Sequence, residues 1–303
     1  MTFLILLQAL FATSFPLAKF LLGFVPNLPF FLSGIRMVIS GLILLFLQSF
    51  VKTRSWCFKK NHVLLFLQII ILGFFMTYGL RLYALQVLPV WKTSFFYNLA
   101  PFLSALYAYI LFGEKLSKKQ WVGLFVGFLG MLPIVISSSP AEAEAGEFFY
   151  ISRYELALML SVLFHSYSWI LIQKLVRNEK YHPAIVNGIT MFSGGVLSLL
   201  VSYFFEGSVS ISDPHMFTTG LMATIFIGNI VCHNLYATLL KTYSATFMSF
   251  TSFLSPLFAA LYGWAFFQEK ISWHFYVAAV VVFLGLYIFY QDELRKQTMI
   301  EIK

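Results

Sequence analysis

Apolar runs of about 20 residues, each long enough to cross the roughly 30 Å hydrocarbon core of a bilayer, recur between short polar breaks along almost the whole chain. Inside lipid every backbone N–H and C=O must be satisfied within the protein, and for successive runs of this length the α-helix is the structure that does so. The runs place ten spans at 3–24, 30–50, 62–86, 90–112, 120–138, 153–173, 184–205, 216–240, 245–268 and 272–290. Composition agrees. Of the 303 residues 60% are hydrophobic and 11% charged, where a soluble domain carries about 25% charged residues to clothe its surface. The first span lacks a basic leader, is longer than a signal-peptide core and contains Pro16 and Lys19, so it reads as retained rather than cleaved.

The net charge of +8 informs through its placement. Lys52, Arg54, Lys59 and Lys60 follow the second expected span, Lys115, Lys118 and Lys119 the fourth, and Lys174, Arg177 and Lys180 the sixth; Lys241, Arg295, Lys296 and Lys303 continue the series. The alternate connections carry Lys92, Arg153 and Lys270 with the acidic set Glu142, Glu144, Glu147, Glu155, Glu206, Asp213 and Glu269. By the positive-inside rule both termini lie in the cytoplasm of a multi-pass protein of the cell inner membrane, which requires an even number of spans. Membrane lipid is a partner, with anionic headgroups a secondary contact for the basic loops. Nucleic acid is not, because no basic surface continues beyond short loops. Cys57 in a basic loop and Cys232 inside a span sit in different environments, which argues against a disulfide, and neither has metal-ligand spacing. No metal or cofactor is expected, and a homodimer is compatible with the pattern.

Residues 101–134 align without a gap to residues 256–289 at an offset of about 155. Pro101 pairs with Pro256, Tyr107 with Tyr262, Glu114 with Glu269, Lys115 with Lys270, Ser117 with Ser272 and Gly130 with Gly285, an agreement that apolar composition alone does not produce. An odd number of spans separates equivalent points, so the first Glu-Lys turn lies inside and the second outside. The fold class expected is therefore an all-α membrane protein of ten transmembrane helices in two inverted five-helix repeats. The first repeat covers 1–138 and an extracytoplasmic acidic linker covers 139–152; the second repeat covers 153–291 and a cytoplasmic tail 292–303. Inverted repeats suit alternating access around a site near the midplane. Pro101 and Pro256 each remove a backbone donor, leaving the carbonyls of Tyr97 and Ser252 without their usual helical partner, as hinges or as packing kinks.

In the first half, Pro101, Gly113, Glu114, Lys115, Ser117, Trp121 and Gly130 resemble the helix pair of the drug/metabolite transporter superfamily, specifically its EamA-type transporters. In the second half Gln268 replaces the turn glycine and Tyr276 the tryptophan. Ala9 to Lys19, and Phe30 to Gly41 with Arg36, are similar to that family's first two helices, so the resemblance covers most of the chain. It implies ten helices in two inverted repeats and a carrier activity. Relatives move amino acids, sugars, nucleotide-like metabolites or drugs, and one subset exchanges S-adenosylmethionine for S-adenosylhomocysteine; the motifs do not choose among them.

A charge at mid-membrane costs about 2.5–3.5 kcal/mol or more, so Lys19, Arg36 and Arg81 call for a reason. All three lie at similar depth and suit either a basic ring or separate roles, with Lys19 snorkelling outward and the arginines pairing with Glu155, Glu206 or backbone carbonyls. Arg36 shares a face with Ser33 and Ser40, and Arg81 with Thr77 and Tyr78. A guanidinium fork suits a carboxylate or phosphate. His165 with Trp169, and His233 with Asn229, form two polar-aromatic faces that read either as proton relays or as hydrogen-bonded packing. Asn98, on one face with Ser94 and Pro101, reads as a site residue or as interhelical glue. Tyr78, Tyr97, Trp169 and Tyr236 offer faces for a planar or sulfonium-bearing ligand.

The substrate-binding set expected is thus Arg36, Tyr78, Arg81, Asn98, His165, Trp169, Asn229 and His233, with Pro101 and Pro256 as hinges and no catalytic or metal-binding residues. The reading is a secondary transporter for a small polar metabolite with an anionic or zwitterionic group, amino-acid-like or nucleoside-like, S-adenosylmethionine/S-adenosylhomocysteine exchange being one specific candidate. No Asp or Glu lies deep in an expected span, which weighs against the alternative of a proton-coupled exporter of amino acids or drugs. A non-transporting receptor or scaffold is the alternative of another class. An enzyme is not expected, as the chain has no Gly-x-Ser-x-Gly, His-Glu-x-x-His or P-loop motif.

Overall fold

A computed structural model of the protein describes residues 2–50, 59–88, 90–137, 152–255, 257–258, 261 and 273–301. In chain order its main helices are α1 (Phe3–Phe24), α2 (Pro29–Ser49), α3 (Lys60–Val87), α4 (Ala100–Phe112), α5 (Lys118–Ser137), α6 (Arg153–Asn178), α7 (Pro183–Phe205), α8 (Pro214–Leu239), α9 (Ala245–Leu254) and α10 (Trp273–Glu301). Among the described residues there is no strand. Six of these helices, α1, α2, α3, α6, α7 and α8, are long and apolar enough to cross a membrane. Large apolar side chains such as Phe46, Tyr203 and Phe205 point outward, as a lipid-facing surface requires.

Local chemistry sets the helix ends. Pro29, Pro183 and Pro214 stand in first turns, where the missing N–H costs nothing. Ser152 and Glu155 form a reciprocal capping box at α6, Asp213 accepts from His215 N and Met216 N at α8, and Ser244 accepts from Phe247 N at α9. Gly113 closes α4 in the left-handed region at φ 67°, which the Gly-Glu-Lys turn demands.

Two expected spans are interrupted, 3–24 by a turn at Thr13 and 90–112 at residues 98–99. The run 90–112 is broken into Val90–Tyr97 and α4, because Pro101 sits in the first turn of α4 and cannot donate back across the break. Pro256, Cys57, the Glu269-Lys270 turn and linker residues 139–151 lie outside the described residues.

Packing between helices relies on close backbone approach, since lipid gives no hydrophobic drive for one helix to leave it for another. The α2–α7 and α5–α10 pairs are the most intimate. A Cβ added to Gly41 would meet Phe192 N of α7 at 2.5 Å, and one on Gly285 would meet Gly127 N and Gly123 O of α5 at 2.6 and 2.7 Å. Backbone atoms cannot move aside as a side chain can. Gly285→Leu is therefore expected to force α5 from α10, at a cost of at least about 1–3 kcal/mol. Fluorescence-detected gel filtration after heating should show a lower apparent melting temperature than Leu286→Met gives; equal melting would refute the tight α5–α10 seam.

At the basic end of the bundle, Lys59 Nζ and His62 Nε2 lie 3.1 and 3.3 Å from Glu179 Oε2, and the Tyr181 hydroxyl accepts from Lys59 N. The hydrogen bond from Lys59, chiefly, holds the Glu179 carboxyl below its usual range. The start of α3 is thereby tied to the α6–α7 connection.

Candidate functional site

Three helices contain π-helical turns: α6 at its C-terminal end, Lys174–Asn178, and α3 and α8 along their length. In α3 residues Ile69–Met76 are π-helical, and in α8 residues Thr224–Cys232 are, two segments that begin 155 residues apart. Such segments are rare in helices and concentrate at functional sites, because the wider turn re-aims the side chains of the next turn. Tyr78 comes just after the first and His233 just after the second, and the Tyr78 hydroxyl is hydrogen-bonded to His233 Nε2. His233 Nδ1 lies 2.6 Å from Gly228 O. A carbonyl only accepts, so Nδ1 carries a proton and in the neutral ring Nε2 accepts from Tyr78. Both ring nitrogens are engaged.

Arg81 and Arg36 converge on the same tyrosine, their guanidinium carbons 4.6 and 5.1 Å from the centroid of the Tyr78 ring. Arg81 also lies 5.3 Å from the Phe15 ring and 6.0 Å from that of Tyr97. Both arginines are buried, and among the described residues no carboxylate forms an ion pair with either. Nε and Nη1 of Arg36 and Nε of Arg81 have no hydrogen-bond partner among the described residues. The acids considered as partners are committed elsewhere: Glu206 accepts from Phe30 N and Phe31 N at 2.6 and 2.8 Å, and Glu155 closes its capping box. Two desolvated cations without an anion are costly, and an anion between them would offset that cost.

Lys19 does not join the arginines. Half-buried, it donates to the carbonyls of Leu85, Gln86 (3.0 Å) and Leu88 (3.4 Å). These are the last carbonyls of α3, unsatisfied within the helix and at the negative end of its dipole, so an ammonium there is a C-terminal cap.

All eight residues singled out in the sequence line one cavity walled by α1, α2, α3, the Val90–Tyr97 helix, the start of α4, α6, α8 and α9. Its volume is about 100 Å³, so it is narrow. Trp169 forms one wall, its ring 4.0 Å from that of Tyr236 and 5.8 Å from that of His233. His165 packs edge-on to Tyr97 at 5.1 Å. Asn98 Nδ2 is buried without a partner among the described residues. Asn229 Nδ2 donates to Ser40 Oγ at 2.9 Å and to Arg36 O at 3.3 Å, joining α8 to α2, while its buried Oδ1 has no partner among the described residues. Asn229 is thus interhelical glue as well as cavity wall. Pro101 is not in the lining; its neighbour Ala100 is.

Sequence reasoning does not single out Gln8, Phe11 and Phe15 of α1 or Ser249, Ser252 and Ser255 around α9, all of which line the cavity. Their spacing is the available signal, since each set recurs every three or four residues on one helix face. A second cavity, of about 540 Å³, opens at the basic end and is lined by Lys115, Lys174 and Arg177 with Ala105 and Thr246. The Ser104–Ser249 hydroxyl contact, 2.9 Å between α4 and α9, lies between the two cavities.

The geometry can hold a ligand with an anionic group and an aromatic or cationic body. The model of the EamA-like transporter family matches residues 1–136 and again 152–291. A Chlamydia muridarum protein named S-adenosylmethionine/S-adenosylhomocysteine transporter is 30% identical over 299 residues, covering 97% of this chain and 92% of that protein. A protein of the same name from Chlamydia trachomatis serovar L2 is 31% identical, covering 97% of this chain and 90% of its own. The Bacillus subtilis protein named uncharacterized transporter YoaV is 22% identical, covering 86% of each. A solved crystal structure matches with a TM-score of 0.75 at 18% identity, covering 98% of this chain and 96% of that one, a likeness of fold. With its apolar membrane-length helices, the protein is a multi-pass membrane transporter and not an enzyme, and the chain belongs to the EamA-like transporter family.

Proposed function

We propose that this protein exchanges S-adenosylmethionine for S-adenosylhomocysteine across the cell inner membrane by alternating access. The observation that carries the reading is the 30–31% identity, over 97% of the chain, to chlamydial proteins named as transporters of those two molecules. The cavity chemistry supports it. Both molecules carry a carboxylate, which suits the unpartnered N–H groups of Arg36 and Arg81, and both carry a planar base, which suits the Trp169 and Tyr236 faces. No Asp or Glu is among the described residues lining the cavity, and His233 spends both nitrogens on protein partners, which favours exchange over proton-coupled export.

The architecture proposed for this cycle is two inverted five-helix repeats, 1–138 and 153–291, joined by an outer linker, with both termini in the cytoplasm. The pairing of α2 with α7 and of α5 with α10 supports it, as do the π-helical segments and the Tyr78 and His233 positions at the common offset of 155.

Counterflow into proteoliposomes tests the function. Vesicles preloaded with S-adenosylhomocysteine are expected to take up labelled S-adenosylmethionine faster than empty ones, with no proton gradient and no effect of a protonophore. Binding without uptake would instead identify a receptor, and collapse of uptake with the protonophore a proton-coupled carrier.

A further inference from the structure

The cavity has two chemically different ends, and α1 measures the distance between them. Gln8, Phe11 and Phe15 lie along its cavity face. Phe15 touches the Arg81 guanidinium, and Gln8 stands seven residues earlier. At 1.5 Å per residue the two ends are about 10 Å apart.

At the Gln8 end every polar group among the described lining residues is uncharged. Gln8 Nε2 donates to Thr251 Oγ1 at 2.7 Å and Ser255 Oγ donates to Gln8 Oε1 at 3.1 Å. Ser252 Oγ donates to Ser249 O at 2.6 Å. These internal bonds fix the groups without exhausting them: the amide keeps a second N–H and a second lone pair, and the Ser252 hydroxyl keeps its acceptor capacity. The result is a preorganised set of donors and acceptors beside the Trp169–Tyr236 aromatic wall. A free amino acid engaged at the arginines by its carboxylate has no uncharged polar group to place about 10 Å away. A nucleoside has several, on the base edge and on the ribose.

We infer that Gln8, Ser249, Ser252 and Ser255 form the nucleoside subsite of the transport cavity, set two helical turns of α1 from the arginine pair that takes the carboxylate. The inference rests on the exchanger reading and deepens it, assigning the residues that take the nucleoside part of the substrate.

Purified full-length protein in detergent provides the test, with S-adenosylhomocysteine binding followed by calorimetry and its displacement by adenosine and by methionine measured separately. In Ser252→Ala/Ser255→Ala the adenosine concentration needed for half displacement is expected to rise at least about fivefold, with methionine displacement unchanged. Arg81→Gln is expected to give the opposite pattern. If the double variant leaves adenosine unchanged, or shifts both fragments equally, the assignment is wrong. Should the double variant fail to fold, Ser252→Ala alone decides by the same criterion. If the wild-type protein binds no S-adenosylhomocysteine, the exchanger reading fails. Direct titration with adenosine then judges the subsite separately: binding that Ser252→Ala weakens upholds it, and no binding overturns it.

Discussion

Arg81→Gln is expected to reduce S-adenosylmethionine counterflow by about 30-fold or more while leaving the protein at least as heat-stable as the wild type. The loss of transport comes from the cost of breaking a buried charge pair. A substrate carboxylate desolvated in this cavity would lose a charged partner, an effect of about 2 kcal/mol or more. Lysine at this position should not restore transport, because it lacks the planar fork that meets two carboxylate oxygens. The retained stability comes from the surroundings of Arg81 before substrate arrives. Its guanidinium shares the Tyr78 ring with that of Arg36, no carboxylate among the described residues pairs with either, and Nε is left without an acceptor. Removing one of two neighbouring buried cations relieves repulsion and desolvation together. A structural arginine would behave the other way, with melting temperature and transport falling together. Transport that survives in Arg81→Gln would remove the arginine pair from the substrate site.

The split between the legible residues and the hidden ones has a physical cause. Arginine, asparagine and histidine inside an apolar run are expensive in lipid, so each must face protein or cavity, and Arg36, Arg81, Asn98, Asn229 and His233 converge as that cost requires. Serine is cheap in a span because its hydroxyl can bond its own helix, as Ser166 and Ser198 do. A serine in the sequence therefore carries little information, and Ser249, Ser252 and Ser255 do not stand out. Lys19 resists placement for a third reason: its partners are backbone carbonyls at the end of α3, and no residue type announces them. The π-helical segments are equally silent, since Ile69–Met76 reads as any apolar run and its register is set by packing, with Gly73 pressed against Ser168 of α6. The break before α4 is available from Pro101, and the continuous hydropathy of 90–112 conceals it.

Joining Ser104 to Ser249 through a disulfide is expected to stop transport, and reduction to restore it. The two hydroxyls are 2.9 Å apart, one on α4 and the other on α9, which brings their β-carbons near the roughly 4 Å that a disulfide spans. They stand between the central cavity, which Ser249 lines, and the basic cavity, which Ala105 and Thr246 line close by in sequence. Neutral hydroxyls holding a helix pair together make a contact of modest strength, about 1 kcal/mol, weak enough to open and close in every cycle. If substrate passes from one cavity to the other, α4 and α9 must part at this point. A covalent tie there should cut counterflow in Ser104→Cys/Ser249→Cys to about a tenth or less after oxidation, since alternating access needs the two halves to move against each other. Cys57 and Cys232 would be replaced by serine first, and each single-cysteine variant should transport equally in oxidant and in reductant. The result also bears on the direction of opening. Block by this link places the moving seam at the end where Lys115, Lys174 and Arg177 gather, the end that positive-inside charge assigns to the cytoplasm. Undiminished transport with the link formed would mean that substrate enters and leaves without separating these helices, and the path would have to run elsewhere.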